Sequence, residues 1–142
     1  MKKHLVSVIL AFCVLMTSAL ALTRGQINTA DALNSLGLFN GTDQGYQLSS
    51  QLNRSDGSVL LVRLLGKEAE AKSGNYTHPF TDVADWFAPH AAYAYSNGYI
   101  KGVTATRYAS DSNMSRSQFY TLVLRALGYT DSGETPDFTW DS

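Results

Sequence analysis

The stretch Met114-Ser115-Arg116-Ser117-Gln118-Phe119-Tyr120-Thr121-Leu122-Val123-Leu124-Arg125-Ala126-Leu127-Gly128 has a near twin upstream, Leu52-Asn53-Arg54-Ser55-Asp56-Gly57-Ser58-Val59-Leu60-Leu61-Val62-Arg63-Leu64-Leu65-Gly66. The two align without a gap. Each has an apolar residue, a small polar residue, Arg, Ser, then Asp or Gln, and each runs through an apolar helix-like segment with a second Arg to a closing Gly. Asn53 with Asp56, and Ser115 with Gln118, have the spacing of a capping box, with an N-cap acceptor and a polar side chain three residues on. Arg54 and Arg116 therefore stand at the first helical position. Recurrence at a fixed period sets the architecture before any local reading does.

Working outward, the offsets hold. Gly37 and Gly98 are 61 residues apart, Gly41 and Gly102 are 61 apart, and Arg54 and Arg116 are 62 apart, so one inserted loop residue separates the copies. Upstream of each stretch lies another helix. The first is predicted from about Gln26 to Leu36, with Ile27, Ala30, Leu33 and Leu36 on one face and Asn28 or Thr29 as its cap. The other begins after Asp85, a predicted N-cap, has Pro89 in its first turn and ends at Gly98. Leu38 to Tyr46 reads as a loop, and Lys67 to His78 as a polar linker around Ser73-Gly74-Asn75. Gly37, Gly66 and Gly128 read as helix stops. Arg63 and Arg125, mid-helix, are expected to lay their stems on the core and keep their heads in water. The predicted fold class is all-α: tandem helix-loop-helix repeats, two units and the start of a third at Asp137-Phe138-Thr139-Trp140-Asp141, with a truncated third unit or a tail over 131–142.

The chain begins Met1-Lys2-Lys3-His4, runs apolar from Leu5 to about Met16 and reaches Ala19-Leu20-Ala21. A basic start, a short apolar core and an Ala-x-Ala end predict a secretory signal peptide over 1–21. The one cysteine, Cys13, lies within it. The expected mature chain thus has no disulfide framework, thiolate metal site or cysteine nucleophile. Lys2 and Lys3 leave with the leader, so 11 basic residues become 9 against 12 acidic ones, a balance of −3. With no basic run, nucleic acid is not expected as a partner. His78, Asp82, Asp85 and His90 are close in sequence, but their spacing does not place them on one helix face and no metal or cofactor is expected. No phosphate loop, dinucleotide fingerprint or nucleophile elbow is present.

The arrangement resembles the surface-layer homology (SLH) family, whose units open with Phe-x-Asp-Val and a Trp, pass through a Gly-containing turn and an aromatic-bearing loop, and start a second helix at an Ile-Thr-Arg-Ala-Glu motif. The second unit, 73–130, carries Phe80, Asp82, Val83 and Trp86, then Gly98, Gly102 and Tyr108, then Met114 to Gln118. The first, 22–72, matches from about Ala30 to Gly66 and lacks the opening. The resemblance implies a non-catalytic, secreted module at the cell wall that binds an anionic wall polysaccharide, often pyruvylated in this family. It also implies a pseudo-threefold spindle of three units, of which this chain would form part. Carried over, the glycan-binding residues are Arg116, Arg54, Trp86, Asp82 and Gly102.

The chemistry of those residues suits such a ligand. Arg at a helix N-terminus sits beside free N–H groups and the positive end of the dipole, and its fork grips a carboxylate. Trp86 is either a flat face for a sugar ring or a core residue; Asp82 either meets ligand or caps its turn. The alternative from a different class is a secreted assembly protein whose helical faces pair with a second copy, or with a partner supplying a third repeat, and which has no glycan site.

Overall fold

The computed structural model describes residues 23–139. The predicted signal peptide, Cys13, Trp140 and Asp141 lie outside them. The described residues form five α-helices and no strand, so the fold is all-α: α1 Arg24–Ser35, α2 Arg54–Leu64, α3 Glu68–Ser73, α4 Ala88–Ser96 and α5 Arg116–Ala126. No helix among them is long and apolar enough to cross a membrane. The chain divides into two compact units, up to Ser50 and from Gln51 onward.

The first unit holds α1 and the loop after it. The helix begins earlier than its apolar spacing predicts. Thr23 is the N-cap: its hydroxyl accepts from Gln26 N at 3.3 Å, and Gln26 Oε1 accepts from Thr23 N at 2.8 Å. This reciprocal pair satisfies two of the free amides at the helix start, so neither Asn28 nor Thr29 is needed as a cap. Thr29 lies inside the helix and donates to Gly25 O. Of the predicted apolar face, Ala30 is buried, while Ile27 and Leu36 are exposed. Gly37 adopts a left-handed conformation and ends the helix, with Leu38 N bonded back to Leu33 O. Beyond it Thr42 and Gly45 exchange backbone hydrogen bonds, and Tyr46 stacks on Phe39 and donates to Asp31.

The second unit packs α2 against α3, α4 and α5, with α3 also on α4. Its core combines aromatic rings, Phe80 and Phe87 lying 5.3 and 5.5 Å from the Tyr108 ring, with small residues, Ala91 and Ala94 on α4 being fully buried. Asn53 caps α2, accepting from Asp56 N at 2.7 Å. Only Asn53's half of the expected box forms there, whereas Ser115 and Gln118 complete both halves on α5. Gly57 disfavours α2 by about 1 kcal/mol relative to Ala, and its place is explained by Met114. A Cβ there would stand 3.1 Å from Met114 Cε and closer still to its sulfur.

Two expectations are corrected here. The segment read as a polar linker contains α3. Its helix is held by Glu68–Lys72 and Lys67–Glu70 ion pairs at helical spacing and by Ala71, which is buried. Asp85 is not the cap of α4. A turn closed by Phe87 N and Ala88 N on Ala84 O precedes the helix, so α4 starts at Ala88 with Phe87 at the cap position and no side-chain cap. Pro89 does fall in the first turn. Gly66, Gly98 and Gly128 end their helices with φ of 66°, 74° and 92°.

Candidate ligand-binding cleft

The repeated arginines part company in the folded chain. Arg54 is braced. Its Nε donates to Tyr108 O at 2.9 Å, its Nη2 donates to Lys101 O at 3.1 Å, and its guanidinium carbon lies 4.5 Å from the Tyr108 ring centroid. A planar cation over an aromatic face, with two donors fixed, is a rigid group. Tyr108 is itself buried, with its hydroxyl 2.5 Å from Ser58 Oγ. Burial pushes the Tyr108 phenol up, opposed by Ser58 and the charge of Arg54. Arg116 is exposed at the first position of α5, and its side chain has no hydrogen-bond partner among the described residues.

Asp82 fastens the loop on which Arg54 rests. Its carboxylate accepts from Tyr108 N at 2.8 Å and from Ala109 N at 2.7 Å, with Arg107 Nε 3.8 Å away. This grip holds Ala109 at φ 62°, a conformation that costs a non-glycine residue free energy unless its surroundings fix it. Burial pushes the Asp82 carboxyl up, but the two amides, with help from Arg107, outweigh it and hold the group below its ordinary value.

A cleft of about 270 Å³ opens beside Arg54, lined also by Lys101, Gly102, Gln118, Thr121 and Arg125 and floored by Val103, Met114 and Leu122. Three cations thus converge on one depression, next to an amide and a hydroxyl. Lys101 Nζ donates to Asp131 at 2.9 Å, and Arg125 pairs with the other oxygen of the same carboxylate. Arg125, with burial opposing and Lys101 assisting, holds the Asp131 carboxyl well below the usual carboxylate range. Arg125 also donates to Tyr99 O, and its side chain is 12% exposed, so its head is paired and mostly buried rather than wet as the sequence suggested. Arg63 differs from expectation in the same way, its head paired with Glu68.

Of the five residues expected to meet ligand, the structure brings Arg54 and Gly102 to the cleft. Asp82 is not among the lining residues and is linked to Arg54 through Tyr108, whose N–H it accepts and whose carbonyl accepts from Arg54 Nε. Arg116 and Trp86 are not among the lining residues. Trp86 is 59% exposed, its ring 5.7 Å from Phe87, so it is not a core residue. Gly102 has a structural reason of its own: a Cβ there would run into the Thr104 carbonyl, Phe80 Cε1 at 2.7 Å and Arg107 O at 2.8 Å. Lys101 and Arg125 were missed as lining residues. The signal for Arg125 was its helical spacing from Gln118, Thr121 and Leu122, which puts all four on one side of α5.

Residues 79–119 match the S-layer homology domain family. The chain carries an S-layer homology domain. Over 107 residues, 73% of its length, it is 31% identical to the middle cell wall protein of Brevibacillus brevis, and over 119 residues, 82% of its length, 29% identical to a surface layer protein of Brevibacillus choshinensis. It is also 30% identical over 84 residues, 59% of its length, to an endoglucanase of a Bacillus species. It spans 10%, 11% and 8% of those proteins respectively, so the likeness concerns a small part of each. Within the S-layer homology domain fall Asp82, Trp86, Gly102, Arg116 and the loop that seats Arg54's guanidinium.

Proposed function

We propose that this chain is a cell-surface anchoring module that holds an anionic wall polysaccharide in the cleft beside Arg54. The S-layer homology domain is a non-catalytic anchoring module, and its presence together with the cell-wall relatives places the protein outside the cell, at the surface. What supports the glycan reading is the convergence of Arg54, Lys101 and Arg125 on one cleft in a chain whose formal net charge is −1. Asp131 offsets part of that charge and leaves an excess of cation where an acidic group can sit.

In this reading, Arg54, already fixed by Tyr108 and Lys101, presents its remaining N–H groups to a carboxylate without first losing side-chain freedom. Gln118 and Thr121 meet sugar hydroxyls, and Val103 and Leu122 lie under the apolar side of a ring. Arg116 and Trp86 stand outside the cleft and take up further residues of the polymer, a cation and a flat apolar face respectively. Pyruvylated polymer is the specific ligand proposed, and the repeats are read as two parts of a pseudo-threefold arrangement. The enzyme among the relatives fits as well. A segment that aligns with small parts of a wall protein and of an endoglucanase contributes location rather than bond chemistry.

Co-sedimentation with purified wall sacculi tests this. The chain is expected to pellet with intact sacculi, to stay in solution once the acidic polymer has been stripped from them, and to be released by the free polymer. Lys101→Ala and Arg116→Ala are expected each to weaken pelleting. Undiminished pelleting by a folded Arg54→Ala, Arg116→Ala double variant would overturn the proposed site.

A further inference from the structure

A second cleft lies where α3 meets α4. It measures about 490 Å³ and shares no lining residue with the cleft beside Arg54. Small side chains make room for it. Ala71 on α3 and Ala88 and Ala92 on α4 line it, the latter two one turn apart on a single face. With only methyl groups on both helices, their contact leaves a trough that larger side chains would close. A volume of this order falls in the range of about 300–1,000 Å³ typical of small-ligand sites.

The walls of this trough are held in place. The chain leaves α3 extended through Gly74, with φ −81° and ψ 159°. Glycine is needed there for space and not for its backbone angles: a Cβ would stand 2.7 Å from Tyr76 Cδ2, nearer still to Cε2, and 2.9 Å from Glu70 O. The Tyr76 side chain that this admits is braced twice, its hydroxyl donating to Glu70 at 2.8 Å and its ring set edge-on to Tyr93 at 5.0 Å. His78 is fixed as well. Its Nδ1 accepts from Phe80 N at 3.1 Å and its ring stacks on Phe80, so the neutral imidazole carries its proton on Nε2. Asp85, expected as a helix cap, is instead exposed, and its carboxylate has no partner among the described residues.

We propose that this cleft binds one residue of an uncharged sugar, an N-acetylated amino sugar by its chemistry. A hydroxyl-bearing ring needs acceptors and donors together. Asp85 offers a carboxylate acceptor, His78 an N–H donor, and Thr77 a hydroxyl that does both. The charges argue against an ionised ligand. Asp85 and Lys72, which pairs with Glu68 at 2.9 Å, are the two charged side chains of the lining, so an acid would meet Asp85 and an amine would meet Lys72. Tyr76 and Pro89 flank the C–H side of the ring, and the alanine trough takes the methyl of the acetyl group. Among the described residues no three histidine, cysteine or acidic side chains stand close enough to hold a metal, so His78 and Asp85 act as hydrogen-bonding groups. The inference does not depend on what the cleft beside Arg54 holds. With both clefts filled, the chain grips an acidic polymer at one place and a neutral glycan at another.

Titration of the isotope-labelled chain with the uncharged N-acetylglucosamine trimer, followed by amide chemical shifts, tests this. Saturable shifts are expected at Tyr76, Thr77, His78 and Ala88. Asp85→Ala, at an exposed carboxylate, is expected to weaken binding by about tenfold or more. Ala88→Leu, which fills the trough, is expected to abolish it, with circular dichroism unchanged in both variants. The deacetylated trimer and a galacturonate trimer are expected to bind more weakly than the neutral one. The absence of saturable shifts at these amides, undiminished binding by folded Asp85→Ala, or shifts caused by a short alanine peptide and not by the sugar would overturn the proposal. The Arg54→Ala, Arg116→Ala double variant is expected to bind the trimer as the unaltered chain does. Loss of the trimer in that variant would assign the sugar to the other cleft and overturn the proposal as well, whereas failure of the chain to pellet with sacculi would leave it standing.

Discussion

Asp82 shows how a residue expected at a ligand can act through the backbone instead. Its carboxylate holds two consecutive amides, one of them on the left-handed Ala109. Asp82→Asn keeps the shape and loses the charge-assisted acceptor, and is expected to cost about 1–3 kcal/mol in urea unfolding. The sign with pH follows from the direction of the shift. The folded carboxyl sits below its ordinary value of 3.8, so the stabilisation is present above that pH and is lost as pH falls through the folded value. Gly57 makes a second case. Gly to Ala inside a helix ordinarily gains about 1 kcal/mol. Here Gly57→Ala is expected to destabilise, because the new methyl meets Met114. In a Met114→Ala background the sign should revert, and a double-mutant cycle measures the coupling. The cap residues were legible in the sequence, since Ser115 and Gln118 are a local signal. The burial of Arg125 was not, because its partner Asp131 lies beyond the closing Gly128, and nothing in α5 announces it.

At the scale of the element, α3 is the helix that sequence reading passed over. It is short and polar, and its ion pairs at helical spacing are weak signals beside the Ser73-Gly74-Asn75 that follows. What holds it is Glu68, which accepts from Arg63 and lies 2.9 Å from Lys72 and 3.4 Å from His90 Nε2. Lys72 and Arg63, against the opposing effect of burial, bring the Glu68 carboxyl down to about 2 from an ordinary 4.5. His90 is buried at α4, and burial lowers it from an ordinary 6.5, with Glu68 opposing. Both depressed values have the same sign: the unfolded chain takes protons first. Stability is therefore expected to fall as pH drops below 6.5 through His90, and again from 4.5 toward 2 through Glu68. Glu68→Gln should cost about 1–2 kcal/mol at neutral pH and little in acid, as read from denaturation midpoints at the two pH values. By contrast α2 and α5 were legible in the sequence, because apolar runs bounded by caps and glycines leave few alternatives, while α4 was legible from Pro89 and its closing Gly98 but not at its cap.

For the whole molecule, the charge pattern makes the wall-binding reading sensitive to salt. Cations at a partly open cleft act over a Debye length of about 10 Å at 0.1 M salt and about 3 Å at 1 M. Pelleting with sacculi is expected to weaken progressively across that range, while thermal unfolding of the chain, which rests on the apolar core around Phe87, Tyr108 and Val62, should change little. Family membership was legible from the order of Phe80, Asp82, Trp86, Gly98, Gly102 and Met114 to Gln118. The cleft was not, because it draws on α2, the Lys101 turn and α5 together, and only packing brings those three to one place.

Arg54 and Arg116 began as equivalent letters in a repeated pattern, and the fold gives them unequal freedom to vary. Any change at Arg54 must contend with two carbonyls and an aromatic face that depend on it. Arg116 carries no such obligation among the described residues. Among natural descendants of this sequence, and on the proposed wall-binding reading, a shift in ligand preference would therefore be written first at Arg116 and its exposed neighbours. Arg54 would persist even in lineages that had ceased to bind a glycan at all.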